Sequence, residues 1–134
     1  MRHEPSSLPA LVLVSTLLLG ACESATTLPD DLAVVNNLPD HFTYEVAGLD
    51  VVTDAVRYFW PVTGTPVAVD VTSNLSSGSV RLQLRDGNGD VVYSEDIADA
   101  VDDLDVTGLI GLWQIDLVFR EASGSFSFQA TRAP

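Results

Sequence analysis

The 134-residue chain contains no lysine, two histidines (His3 and His41), one cysteine (Cys22) and one methionine. The absence of lysine excludes a Schiff-base amine and a serine–lysine dyad. Downstream of the N-terminal apolar segment only His41 remains, so a two-histidine metal site is excluded, and any serine–histidine–aspartate arrangement would depend on that one imidazole. A lone cysteine excludes an internal disulfide. Positive charge is equally scarce: six arginines face nineteen acids, for a formal net charge of −13. A nucleic-acid ligand requires the opposite sign. No stretch sustains a helical hydrophobic period for three turns. Carboxylate pairs of the kind used in glycoside hydrolysis are available in so acidic a chain. A single small domain filled by its own aromatics, however, leaves little room for a substrate cleft. The expectation is a protein that is not an enzyme and carries no cofactor.

What is present first is an N-terminal export pattern. Arg2 and His3 precede an apolar run at 8–19, LPALVLVSTLLL, and small residues follow at Gly20 and Ala21. The run falls short of the roughly 20 apolar residues needed to cross a bilayer, so it reads as a signal peptide. Leu19-Gly20-Ala21-Cys22 resembles the lipobox of bacterial lipoproteins. That resemblance implies cleavage before Cys22, a thioether-linked diacylglycerol on its sulfur, and fatty acylation, for instance with palmitate, of the new amino terminus. It makes the protein an exported lipoprotein of the cell envelope, held on the periplasmic side of a membrane. Enteric lipoproteins use Asp after the cysteine for inner-membrane retention. Glu23 stands there instead, which favours the outer membrane. Removing the first 21 residues leaves 113, enough for one small domain, with five arginines against eighteen acids.

The expected organisation is a lipoprotein signal peptide at 1–21, a flexible tether at 22–40 and a β-sandwich domain at 41–134. The tether is rich in Ser, Thr, Asn, Asp and Pro, although Leu32 to Val35 reads equally as a first edge strand. After Asp40 the hydrophobic period is two, as in half-buried strands. Phe42, Tyr44 and Val46 alternate with polar residues, as do Val56, Tyr58, Trp60 and Val62. The pattern continues through Val67, Val69 and Val71, then Val80, Leu82 and Leu84, then the short run 91–93. It ends with Trp113, Ile115, Leu117 and Phe119, and with Phe126, Phe128 and Ala130. About seven strands at short spacing predict an all-β fold, an antiparallel β-sandwich that is immunoglobulin-like or jelly-roll-like. Ile97, Val101 and Leu104 predict one helical turn in the crossover before the sixth strand. In SGSVRLQLRDGNGDVVYS and GLWQIDLVFREASGSFSF, the stretch 41–131 resembles the single β-sandwich domains of uncharacterised bacterial lipoproteins. These segments are hairpins, and the resemblance implies no activity.

Three constellations bear on function. Asp86, Asn88 and Asp90 have the spacing that opens an EF-hand loop, but Val91 and Ile97 occupy the positions that require Gly and Glu. A hairpin loop explains them, with an exposed cation site as the alternative. Glu95, Asp96, Asp99, Asp102, Asp103 and Asp105 form an acidic run that reads as a solvated crossover, or else as a cation or basic-partner site. Tyr58, Trp60 and Trp113 share parity with apolar neighbours and belong to the core. Phe59 lies on the other face with Arg57 and Pro61, which makes it a contact candidate. The function expected is a lipid-anchored, non-catalytic interaction or structural module whose partners are the membrane, through Cys22, and an envelope protein or glycan. The alternative is a glycan- or calcium-binding module.

Overall fold

A computed structural model describes residues 26–133, and for residues 99–102 the backbone alone. The expected signal peptide at 1–21 and the expected lipidation site Cys22 lie outside the described residues. Six strands follow one another: β1 (Val34–Leu38), β2 (His41–Val62), β3 (Val67–Arg85), β4 (Val91–Ile97), β5 (Asp99–Val106) and β6 (Gly111–Arg132). Among the described residues these six strands pair antiparallel, in the order β1-β2-β6-β3-β4, with β5 also on β3.

Six of the seven expected strands prove to be the halves of three long ones, β2, β3 and β6. Each bends in the middle, where the pairing register shifts: between Val46 and Asp54 in β2, and between Leu75 and Ser79 in β3. Such bulges strengthen local twist and let one strand serve two layers. Tyr44 and Tyr58, both on β2, have ring centroids 6.0 Å apart, so the strand is folded back over itself. One layer comprises β1, the first half of β2, the second half of β6, the first half of β3, and β5. The other comprises the second half of β2, the first half of β6, the second half of β3, and β4.

The bends are set by local chemistry. Gly78 and Gly124 have φ of 74° and 123°. A Cβ on either would lie 2.2 Å from the Glu121 carbonyl or 2.4 Å from that of Asn74, so glycine is required twice over. Val51 and Glu121 also hold positive φ, and the hydroxyls of Ser123 and Thr53 accept from their amides at 2.8 and 3.0 Å. Between the layers, Phe42, Tyr44, Trp60, Leu82, Leu84, Trp113, Ile115, Leu117, Phe119, Phe126 and Phe128 are all buried. The two indoles meet edge to face at 6.0 Å, and each donates to a backbone carbonyl, Trp60 to Leu38 and Trp113 to Leu109.

Two expectations are corrected. The crossover holds no helical turn: residues 99–106 form β5, with Leu104 opposite Val69 and a buried Val106 opposite Val67. The open edge of β3 supplies backbone partners that an isolated acidic turn lacks, and this outweighs the apolar spacing of Ile97, Val101 and Leu104. The first edge strand is Val34–Leu38 rather than Leu32 to Val35. The described part of 22–40 also packs on the domain: Thr26 bridges Val52, and the Leu28 amide donates to Asp54 at 2.9 Å.

Candidate binding face

Alternation leaves each layer with an outer face, and register decides what that face collects. On the four-stranded layer, neighbouring strands align Ala55, Val118 and Arg81 in one row, Arg57, Asp116 and Gln83 in the next, and Phe59, Gln114 and Arg85 in a third. Asp96 and Ser94 of β4 extend the first two rows. Rows two residues apart lie about 7 Å from one another. Ala55, Arg57, Arg81, Gln83, Arg85, Asp116 and Val118 line an open groove of about 480 Å³, floored by the small side chains and walled by guanidinium groups. Arg120 reaches the same face, sharing Asp96 with Arg81 at 3.8 and 3.3 Å.

Four of the five arginines among the described residues therefore stand on one face, against Asp96 and Asp116 in their rows. Each is oriented. Arg57 donates through Nε to Asp116 Oδ1 at 2.7 Å, Arg81 to Ser94 Oγ at 3.1 Å, and Arg85 to the Gly89 carbonyl at 3.1 Å. Gln114 fixes the other oxygen of Asp116 at 2.8 Å. The side chain of Arg57 is 59% exposed and that of its partner Asp116 only 18%, so the guanidinium covers the carboxylate and faces solvent. Phe59, 53% exposed, flanks the groove one row on, which puts the contact candidate beside the arginines. Tyr58 is half-buried, and Trp60 and Trp113 are fully buried.

The 86–90 loop is organised by its own hydrogen bonds. Asp86 is buried, its Oδ1 accepts from the Asn88 and Asp90 amides, and its Oδ2 accepts from the Leu109 amide at 2.9 Å. These bonds, that from Leu109 foremost, hold its carboxyl below the usual carboxylate range. Asn88 spends its side-chain amide on Asp90. Both carboxylate oxygens of Asp86 thus serve the loop and its junction with the 107–110 turn. Among the described residues no three His, Cys, Asp or Glu side chains converge in a way that could hold a metal ion.

The acidic run divides between the layers, with Asp96 serving the arginines while Asp103 and Asp105 face out of the five-stranded layer. There Asp103 pairs across from Asp70, and the carboxyl of Asp70 is raised, first by its hydrogen bond with Asp103, then by burial and by the charges of Asp103 and Asp105. His41 contacts Thr131 Oγ1 at 3.3 Å at the end of the same layer. The polar parity of Arg57, Arg81, Arg85 and Arg120 was visible in the sequence. Their convergence was not, because it depends on β6 lying between β2 and β3.

No protein-family model and no curated protein sequence matches the chain. Among solved structures it is similar to a family 6 carbohydrate-binding module whose binding sub-sites were dissected by crystallography and calorimetry, at 12% identity and a TM-score of 0.31. It is also similar to a family 6 module from Clostridium stercorarium in complex with cellobiose, at 13% identity and a TM-score of 0.28. Each comparison covers 83% of this chain and 90% of the other. Likenesses this distant carry no argument about ligand or site.

Proposed function

We propose that this protein is a lipid-anchored, non-catalytic envelope module that binds glycan across the outer face of its four-stranded layer. One observation carries this reading: the groove combines guanidinium groups oriented by hydrogen bonds, the Gln83 amide, the small side chains of Ala55 and Val118, and an exposed Phe59 at its margin. Sugars need this mixture, since their hydroxyls accept and donate while their apolar ring faces stack on aromatics. Trp60 and Trp113 are packed in the interior and are not exposed as stacking surfaces. Membrane attachment rests on the lipobox-like Leu19-Gly20-Ala21-Cys22. Because Thr26 is already bridged to Val52, the four residue steps from Cys22 span at most about 14 Å, which would hold the bend of β2 near the bilayer.

Two experiments test the reading. Cys22→Ser should abolish acylation and release the protein from the membrane fraction, whereas continued acylation of that variant would refute the anchor. The mature domain should be retarded in affinity gels containing a panel of polysaccharides, and Phe59→Ala/Gln83→Ala should lose that retardation with an unchanged melting temperature. A variant that binds every glycan as the parent does would move the site off this face.

A further inference from the structure

We infer that the glycan is an acidic one, a polysaccharide whose repeating unit carries carboxylates, held by Arg57, Arg81 and Arg85. This rests on the glycan-binding reading and adds the ligand's charge. A chain of net charge −13 has collected four of its five described arginines on one face and left two acids in their rows. On the opposite face Glu45, Asp70, Asp103 and Asp105 meet no arginine in their pairings. The arginine-rich face is thus the place where a diffusing anion meets attraction rather than the repulsion of the rest of the surface.

Guanidinium groups suit this task because each presents a planar fork that matches a carboxylate, and those of Arg57, Arg81 and Arg85 are oriented before ligand arrives by Asp116, Ser94 and the Gly89 carbonyl. Such preorganisation lowers the entropy lost on binding. Gln83 lies between Arg81 and Arg85 along β3 and offers both a donor and an acceptor to hydroxyl groups, while Gln114 stands between Phe59 and Arg85 in the register. Two other anionic partners fit less well. An acidic peptide read by the arginine cluster alone would leave the Gln83 amide and the exposed Phe59 ring unused, whereas these suit the hydroxyl groups and apolar faces of a sugar. An anionic bilayer would have to accept the acidic remainder of the domain along with this face.

Calorimetric titration of the mature domain with polygalacturonate, the methyl-esterified polymer, a neutral xylan, an acidic polyglutamate peptide and phosphatidylglycerol vesicles tests the inference. Binding is expected to polygalacturonate alone, to weaken at least about tenfold between 50 and 200 mM salt, and to weaken by about tenfold or more in both Arg57→Gln and Arg85→Gln. Arg132→Gln, on the other layer, should bind as the parent does. Equal binding of the esterified or neutral polymer would overturn the acidic assignment and leave the glycan reading standing. Binding to the vesicles or the peptide with none to any polysaccharide would overturn both.

Discussion

The two outer faces of this sandwich are built by the same alternation on the same three long strands, yet they carry opposite chemistry. In the four-stranded layer β2, β6 and β3 present Arg57, Asp116 and Gln83 in one row. In the five-stranded layer their other halves present Thr43, Gln129 and Asp70, with Asp103 beyond on β5. On the first face acids are consumed by arginines: Asp116 by Arg57, and Asp96 by Arg81 and Arg120. On the second, Asp70 and Asp103 face each other as like charges. The difference separates a face of paired and oriented charge, where the proposed glycan site lies, from one whose unpaired acids repel one another.

The largest expected effect concerns what the faces share. Trp113, beneath the arginine rows, is fully buried, so Trp113→Ala should cost about 3 to 5 kcal/mol in urea unfolding. Phe59→Ala, on the outer side of the same layer, should cost less than about 1 kcal/mol. Equal losses would mean that the faces have been assigned the wrong way round.

Asp86 comes next, because its carboxylate binds the 86–90 loop to the turn at Leu109. Asp86→Asn should lower the melting temperature at pH 7 by less than Trp113→Ala does. Asp40 is held down in the same direction, chiefly by the Thr63 hydroxyl. For both groups the folded value lies below the ordinary 3.8, so their stabilisation is complete above that pH and is lost as pH falls through the lowered values. Melting curves of the parent, Asp40→Asn and Asp86→Asn should accordingly converge in strong acid.

A smaller effect, of opposite sign, lies at Tyr44, whose buried hydroxyl has no hydrogen-bond partner among the described residues and whose ionisation burial pushes far up. Tyr44→Phe should gain about 1 kcal/mol, since it removes an unsatisfied polar group without changing the packing. A loss would show that the hydroxyl has a partner.

Asp70→Asn sharpens the comparison itself. Its folded value is raised, so the group favours the folded state below pH 3.8 and loses that contribution as pH rises through the raised value. The variant should therefore melt slightly higher than the parent at pH 7 and no higher at pH 3. Asp116→Asn, on the other face, should instead destabilise at pH 7, because it strips Arg57 of its partner. The smallest effect is that of divalent cations. At matched ionic strength, 1 mM calcium and 1 mM magnesium should shift the melting temperature equally and slightly. A rise specific to calcium and abolished by Asp86→Ala/Asp90→Ala would make the hairpin a ligand loop.

Much of the fold was legible because period-two alternation is strict in this chain. The buried sets Phe42, Tyr44, Val46 and Trp113, Ile115, Leu117, Phe119 are the ones the parity names. What alternation cannot express is continuity: Gly48, Val51, Gly78, Glu121 and Gly124 lie between the alternating runs, yet they are bends at positive φ inside unbroken strands. Nor can it express partnership. β5 was misread because Ile97, Val101 and Leu104 match a helical period by chance, while the edge of β3 that orders residues 99–106 lies some thirty residues away in sequence. The same limit applies to the binding face. Phe59 was identifiable from parity alone, but its neighbours across the sheet, Gln114 and Arg85, are set by β6 inserting between β2 and β3.

The most direct test of the central claim is an amide chemical-shift map of the β-sandwich domain titrated with a short oligogalacturonate. The account predicts shifts concentrated at residues 55–59, 81–85 and 114–118, the three strands that form the arginine rows. Shifts confined to residues 68–72, 103–105 and 127–131 on the acidic face, or to the 86–90 loop, would contradict it.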